Sequence, residues 1–282
     1  MTRKQRAEEA QTYEIDTGTA EIVHEHDGSL LLTVNGVPSS HIVPDEPERL
    51  EFEYMRWIVA AAEAFWGGER EKASVTHLGG GGCSLARYFA HAWRGSRNTV
   101  VELDGRLAEL ARAHFDIPRA PAVKIRVGDA RAVTDTFHAA SRDIIIRDVF
   151  AGSTTPRSLS TVDFYTQCFS ALRPGGLYLA NCGAHSDLKE AREELAGMLE
   201  VFPSVAAIAD PPMLKGRRYG NIVLIGADHP LDPTPELTRA LLGGAVPAHV
   251  KGKDWAASLA HGSAARHCRN APPLLIPEAS DT

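Results

Sequence analysis

Four cysteines in 282 residues are few, and Cys83, Cys168, Cys182 and Cys268 stand far apart with no CxxC pair among them. That spacing indicates neither a zinc site nor a disulfide framework, no metal site is expected, and a reducing cytoplasm is the plain reading. Long apolar runs are also missing: no stretch approaches the ~18 residues of a membrane span. The start, MTRKQRAEEAQ, is charged and has no apolar segment of a secretory signal. A basic excess is absent as well, since 30 Lys and Arg face 36 Asp and Glu for a net charge of -6. Nucleic acid is therefore an unexpected partner, and the acidic balance is mildly compatible with a cationic substrate. No internal repeat is visible. What remains, 44% hydrophobic and 23% charged, is ordinary globular composition with enough chain for one large domain and a small appendage.

The informative stretch runs from Ser74 to Asp104, SVTHLGGGGCSLARYFAHAWRGSRNTVVELD. Val75 and Thr76 lead a buried strand into four glycines, Gly79, Gly80, Gly81 and Gly82, where backbone can approach a ligand closely. Leu85, Tyr88, Phe89 and Ala92 then recur at helical spacing, and the N-terminus of such a helix favours polar or anionic groups. The next strand, Asn98 to Val101, ends at Glu102 and Asp104. An acid about 20 residues beyond a glycine turn, at a strand tip, is placed to accept hydrogen bonds from ribose hydroxyls. A strict dinucleotide fingerprint wants glycine or alanine where Ser84 stands, so a nucleoside without a pyrophosphate fits better than a nicotinamide or flavin cofactor.

Around this unit the chain reads in three parts: 1–47, a polar tail and small antiparallel β domain; 48–228, a nucleoside-binding domain; and 229–282, a partly helical or disordered tail. In the first part Tyr13 to Ile15, Ala20 to His24, Ser29 to Val34 and His41 to Val43 are short strand candidates, with Asn35-Gly36 the best hairpin signal. Leu50, Tyr54, Trp57, Ile58, Ala61 and Phe65 predict a helix from Glu48 to Phe65. Helix and strand then alternate, which predicts a parallel sheet with helices on both faces. Strand three, Val123 to Val127, ends at Gly128-Asp129-Ala130, where Asp129 is placed either to meet an adenine amino group or to cap the next helix. Strand four, Asp143 to Ile146, breaks at Arg147-Asp148, which puts Asp148 on the ligand side of the sheet. Pro174-Gly175-Gly176 reads as a turn before strand five, Leu177 to Cys182; Val205 to Ala209 and Asn221 to Ile225 read as a final antiparallel pair. The loop between that pair, with Lys215, Arg217, Arg218 and Tyr219, reads as a solvated charged turn in preference to a substrate clamp, and two weak helices, Pro235 to Leu242 and Trp255 to His261, precede a Pro-rich end.

Taken in order, the β cap, the LGGGG turn, the VELD strand end, the GDA turn, the IIIRDV strand end and the LRPGG turn resemble the spermidine synthase family of aminopropyltransferases, over roughly Tyr13 to Gly226. The resemblance implies a methyltransferase-like, Rossmann-like α/β fold with a small antiparallel β domain in front, and a dimer or tetramer, of which a homodimer is the expectation. It implies transfer of an aminopropyl group from decarboxylated S-adenosylmethionine to a small-molecule amine, with no prosthetic group. By the same resemblance Gly79 to Gly82 and Glu102 hold the donor, Asp129 and Ala130 the adenine, Tyr54 the acceptor, and Asp148 is the acid beside the attacking amine. Two acids of the family pattern are replaced: Gly82 fills the fourth place of the glycine turn, and Val149, Phe150, Ala151 and Gly152 follow Asp148. A glutamine expected after the cap hairpin is absent from Pro38, Ser39 and Ser40. An S-adenosylmethionine-dependent methyltransferase and a nucleoside-binding relative without catalysis are the alternatives, since the same sheet and ribose acid serve all three.

Overall fold

A computed structural model describes residues 9–152 and 154–268. The polar tail before residue 9 and the Pro-rich end from residue 269 lie outside the described residues. Alternating apolar residues build the first sheet, in which β1 (Glu9–Ile15), β2 (Gly18–His24), β3 (Leu30–Val34) and β4 (Val37–Ile42) pair antiparallel in chain order. Asn35 and Gly36 make the β3–β4 turn with φ of 51° and 76°, the left-handed geometry that suits a two-residue hairpin. α1 (Glu53–Phe65) starts later than its periodicity predicts. Phe52 is extended, and the Arg56 guanidinium donates to the carbonyls of Leu50 and Glu51 at 2.6 and 3.0 Å, which satisfies them outside a helix.

The second sheet takes its strands from β5 (Ser74–Leu78), β6 (Arg97–Glu102), β7 (Val123–Val127), β8 (Arg142–Arg147), β9 (Leu172–Ala184), β10 (Ser204–Ala209), β11 (Gly220–Ala227) and β12 (His249–Lys251). Their order across the sheet is β12-β10-β11-β9-β8-β5-β6-β7. The five strands from β9 to β7 run parallel, while β11, β10 and β12 add antiparallel neighbours, so β10 and β11 pair as expected. Between them lie α2 (Ser84–Ala92), α3 (Gly105–His114), α4 (Ala130–Thr134), α5 (Val162–Ala171), α6 (Lys189–Val201), α7 (Pro211–Leu214) and α8 (Pro235–Leu242), and α9 (Lys253–Ala260) follows β12. Ile144, Ile145 and Ile146 are consecutive and all buried, as they must be in a parallel strand with helices on both faces.

In the cap, β4 begins at Val37, ahead of the strand expected from His41 to Val43, and the second sheet departs from expectation at two places. Pro174-Gly175-Gly176 is no turn but part of β9, where the pairing with β8 skips between Leu172 and Leu177 and Gly175 takes φ 79°. β12 was not legible, because three edge residues with the pattern His-Val-Lys carry no alternation.

The β cap is docked, not merely appended. Its inward residues Ile15, Ala20, Ile22, Leu30, Leu32 and Ile42 share one core with Cys83 and Ala86 of the turn and α2 and with Leu107, Ala111 and Phe115 around α3. Polar contacts fix the orientation: Thr17 donates through its amide and hydroxyl to Asp104 Oδ2 at 2.7 and 2.8 Å, and Asp16 accepts from the amides of Gly105 and Arg106. Asp104 Oδ1 meanwhile accepts from the amide of Leu107, so two acids from different elements cap α3 together.

Behind β8 lies a buried ion pair. Arg147 Nη1 stands 2.8 Å from Glu194 Oε2 of α6, with side-chain exposures of 0% and 1%. Arg147 also donates to the carbonyls of Leu159 and Asn181, and the Tyr165 hydroxyl donates to Glu194 at 3.0 Å. Removing one partner of such a pair leaves an unpaired buried charge. Glu194→Leu is expected to lower the unfolding free energy by about 3–5 kcal/mol, and Arg147→Met on top of it to recover much of the loss. Urea denaturation of the two variants checks this, and a cost under about 1 kcal/mol for the single change contradicts it.

Candidate active site

β5 and β8 are the two strands between which the order of a doubly wound sheet reverses, and ligands bind at the carboxyl ends of strands at such a point. The backbone closes tightly there. Gly79 follows β5 with φ 90°, its amide donates to the Val101 carbonyl at 2.9 Å, and the Asp148 amide donates to the Leu78 carbonyl at 2.8 Å. A Cβ on Gly79 would collide with the Asp148 carbonyl oxygen, so only glycine lets the turn and the end of β8 come together.

Glu102, at the tip of β6, turns its carboxylate to the glycine turn. Oε2 accepts from the amides of Gly80 and Gly81 at 2.9 and 3.1 Å, and Oε1 accepts from the Asp104 amide at 3.1 Å. A carboxylate has about four acceptor sites, so Oε1 keeps capacity for a hydroxyl donor. Leu103, next along, is 55% exposed and offers apolar surface beside that carboxylate. Cys83 ends the turn, and burial pushes its thiol up to about 12, which rules out a thiolate nucleophile.

Gly82, the last glycine of the turn, is held against the cap. Its backbone is not in the left-handed region, and its amide donates to Ser40 Oγ of β4 at 2.8 Å. A Cβ there would stand 2.8 Å from Ser40 Cβ and 3.4 Å from Phe115, so this position faces the cap, with no room for an acid. Asp129, left open between adenine contact and helix cap, caps α4: its Oδ1 accepts from the Ala132 amide at 2.8 Å. Ala130 is buried at the start of α4, and the strand ends remain linked through the Gly128 amide and the Glu102 carbonyl at 2.8 Å.

Asp148 meets Tyr54 across 94 residues of sequence. The Tyr54 hydroxyl donates to Oδ2 and the Asn181 amide nitrogen to Oδ1, each at 2.9 Å. Burial pushes the Asp148 carboxyl above its ordinary value, against the pull of those two hydrogen bonds and of Arg147. Tyr54 is itself buried, and burial together with the neighbouring carboxylate raises its phenol well above the ordinary value, so it stays a donor. Asn181 was missed from sequence, although an amide inside the apolar run of β9 is a signal in itself, because buried amides need partners. Ser40 was missed as well, and nothing in a cap strand announces it. The structure thus joins Tyr54 with Asp148 and Gly80 and Gly81 with Glu102, and places Gly79 against Asp148.

A solved structure described as a probable spermidine synthase from Corynebacterium glutamicum is 54% identical, with a TM-score of 0.90, and the match covers 96% of this chain and all of that one. The chain belongs to the spermidine synthase family. A second family structure, spermidine synthase from Thermotoga maritima, is 19% identical with a TM-score of 0.61, covers 80% of this chain and 74% of that one, and shows the shared fold. A probable polyamine aminopropyl transferase of Bifidobacterium longum is 30% identical over 114 residues, which is 40% of this chain and 25% of that one. The chain spans between 25% and 51% of the length of the curated relatives it matches. No family model matches it.

Gly82 distinguishes this member in a testable way. Gly82→Ala is expected to cost about 1–3 kcal/mol of stability through the clash with Ser40, and Ser40→Gly in the same chain to recover part of it. Thermal melts of the single and double variants check this; a neutral Gly82→Ala would mean that the cap yields at no cost.

Proposed function

We propose that this protein transfers an aminopropyl group from decarboxylated S-adenosylmethionine to a small amine and releases methylthioadenosine. The observation that carries the reading is the Asp148 carboxylate, half-buried and held between the neutral donors Tyr54 and Asn181 beside the glycine turn. Glu102 and the turn amides supply the nucleoside side, with the ribose hydroxyls on Glu102 and the adenine over Leu103 near Ala130. A homodimer in the cytoplasm, with no nucleic acid or membrane partner, belongs to the same reading; the dimer rests on family resemblance, and the rest on the scattered cysteines, the net charge of -6 and the lack of long apolar runs.

The reaction is a displacement. The amine nitrogen attacks the propyl carbon bonded to the sulfonium, the C–N bond forms as the C–S bond breaks, and the sulfur leaves as a neutral thioether with the bonding pair. The amine is mostly protonated at neutral pH and must lose a proton first. Asp148 takes it, and a carboxyl whose affinity for protons is raised by burial is a better base than one in water. Tyr54 and Asn181 fix the carboxylate, so the nucleophile is held in line and no reorganisation is needed at the moment of attack. The loop after Asp148, with Val149 and Phe150 half-buried, brings no second acid to the acceptor side, so Asp148 is its anchor as well as its base.

Incubation with decarboxylated S-adenosylmethionine and a panel of amines, read by mass spectrometry, is expected to yield methylthioadenosine. Asp148→Asn should lower kcat by about 100-fold or more while donor affinity stays near that of the wild type. S-adenosylhomocysteine from the intact donor would instead make the protein a methyltransferase, and full turnover in the variant would remove Asp148 from the chemistry.

A further inference from the structure

A second polar concavity lies away from the strand ends. It measures about 210 Å³ and is enclosed by one face of α2, the turn after β4 and the segment after α3. Arg87 and His91 line it from α2 and Arg94 from the turn just after that helix, and Asp45 and Asp116 line it from the other two walls. Arg87 is the unusual member. The residue is 4% exposed and no hydrogen bond or ion pair holds its side chain among the described residues, yet none of its guanidinium nitrogens is among the fully buried polar atoms left without a partner, so the fork keeps contact with solvent. A guanidinium has five donors in a planar fork, and a fork that no protein group engages is open to the acceptors of a ligand. Burial pulls the group below its ordinary value, with Asp116 and Asp45 acting on it only as more distant charges. Both aspartates sit in the left-handed region, at φ 62° for Asp45 and 45° for Asp116, at exposed positions on the rim.

The charges decide what fits. An anion alone gains the two arginines but meets two carboxylates, and a cation alone meets the reverse. A molecule with one group of each sign finds complementary partners for both. At about 210 Å³ the space lies below the ~300–1,000 Å³ range of ordinary ligand pockets, so the molecule is small. We propose that this cavity binds a zwitterion of amino-acid size, its carboxylate forked on Arg87 and its ammonium facing Asp45 and Asp116. Such a ligand joins the cap, α2 and α3, the three elements that surround the glycine turn, since Phe115 beside Asp116 lies against Gly82.

The test titrates the full chain with each of the twenty standard amino acids, by thermal shift and calorimetry. Propionate, propylamine and inorganic phosphate at matched ionic strength are the comparison probes. At least one amino acid is expected to bind saturably and raise the melting temperature, about 10-fold or more tighter than any comparison probe. Arg87→Gln should abolish that binding and leave the melting temperature of the unliganded protein within a few degrees of the wild type, because no protein partner of the guanidinium is lost. Asp116→Asn, at an exposed position, should weaken the amino acid and leave propionate unaffected. The proposal is overturned if no amino acid shifts the melt, if phosphate or propionate binds as tightly, or if amino-acid binding survives both substitutions.

Discussion

A carboxylate at the end of a buried strand is stable only if its oxygens find donors, and Asp148 finds two neutral ones. Tyr54 comes from the helix that links cap to core, and Asn181 from the neighbouring parallel strand. Around that demand the candidate site is arranged. Because Gly79 has no Cβ, the turn after β5 can close on the Asp148 carbonyl, and because it closes there, the next two amides reach Glu102. Asp148 and Glu102 are thereby set at the carboxyl ends of the two strands that flank β5.

The ion pair behind β8 serves the same arrangement from the other side. Arg147 and Asp148 are consecutive, and each takes hold of Asn181, Arg147 at its carbonyl and Asp148 at its side chain. Arg147 is in turn neutralised by Glu194. Buried ion pairs contribute little net stability when complete, so this one is better understood as fixing where β8 ends and which way Asp148 faces.

Much of this was legible in the sequence, and what was not has physical reasons. The glycine run, Glu102 at the tip of the next strand and Asp148 after three isoleucines follow from chain order alone, because the sheet's connectivity puts strand ends on one edge. Asp129 was ambiguous because one strand-end geometry serves both a ligand contact and a helix cap; the side chain caps α4. Gly82 stands where the family pattern has an acid, but a linear motif says nothing of where a Cβ would point, and here one would point at Ser40. The β9 strand overran its Pro-Gly-Gly because a bulge within paired strands absorbs residues that elsewhere make a turn. Arg147 with Glu194 and Asn181 with Asp148 are pairings between residues 33 or more apart, which no local pattern encodes.

If the half-buried Asp148 carboxylate, held by Tyr54 and Asn181, is the base, its ionisation must govern the rate. The pH dependence of kcat/KM with a fixed amine tests it most directly, in the wild type and in Tyr54→Phe. Activity needs the ionised form, burial raises the proton affinity and the Tyr54 hydrogen bond lowers it. The acid limb should therefore lie above the ordinary carboxylate range in the wild type and move to still higher pH when the hydroxyl is removed. An acid limb at the ordinary carboxylate value that stays fixed in Tyr54→Phe would contradict the account.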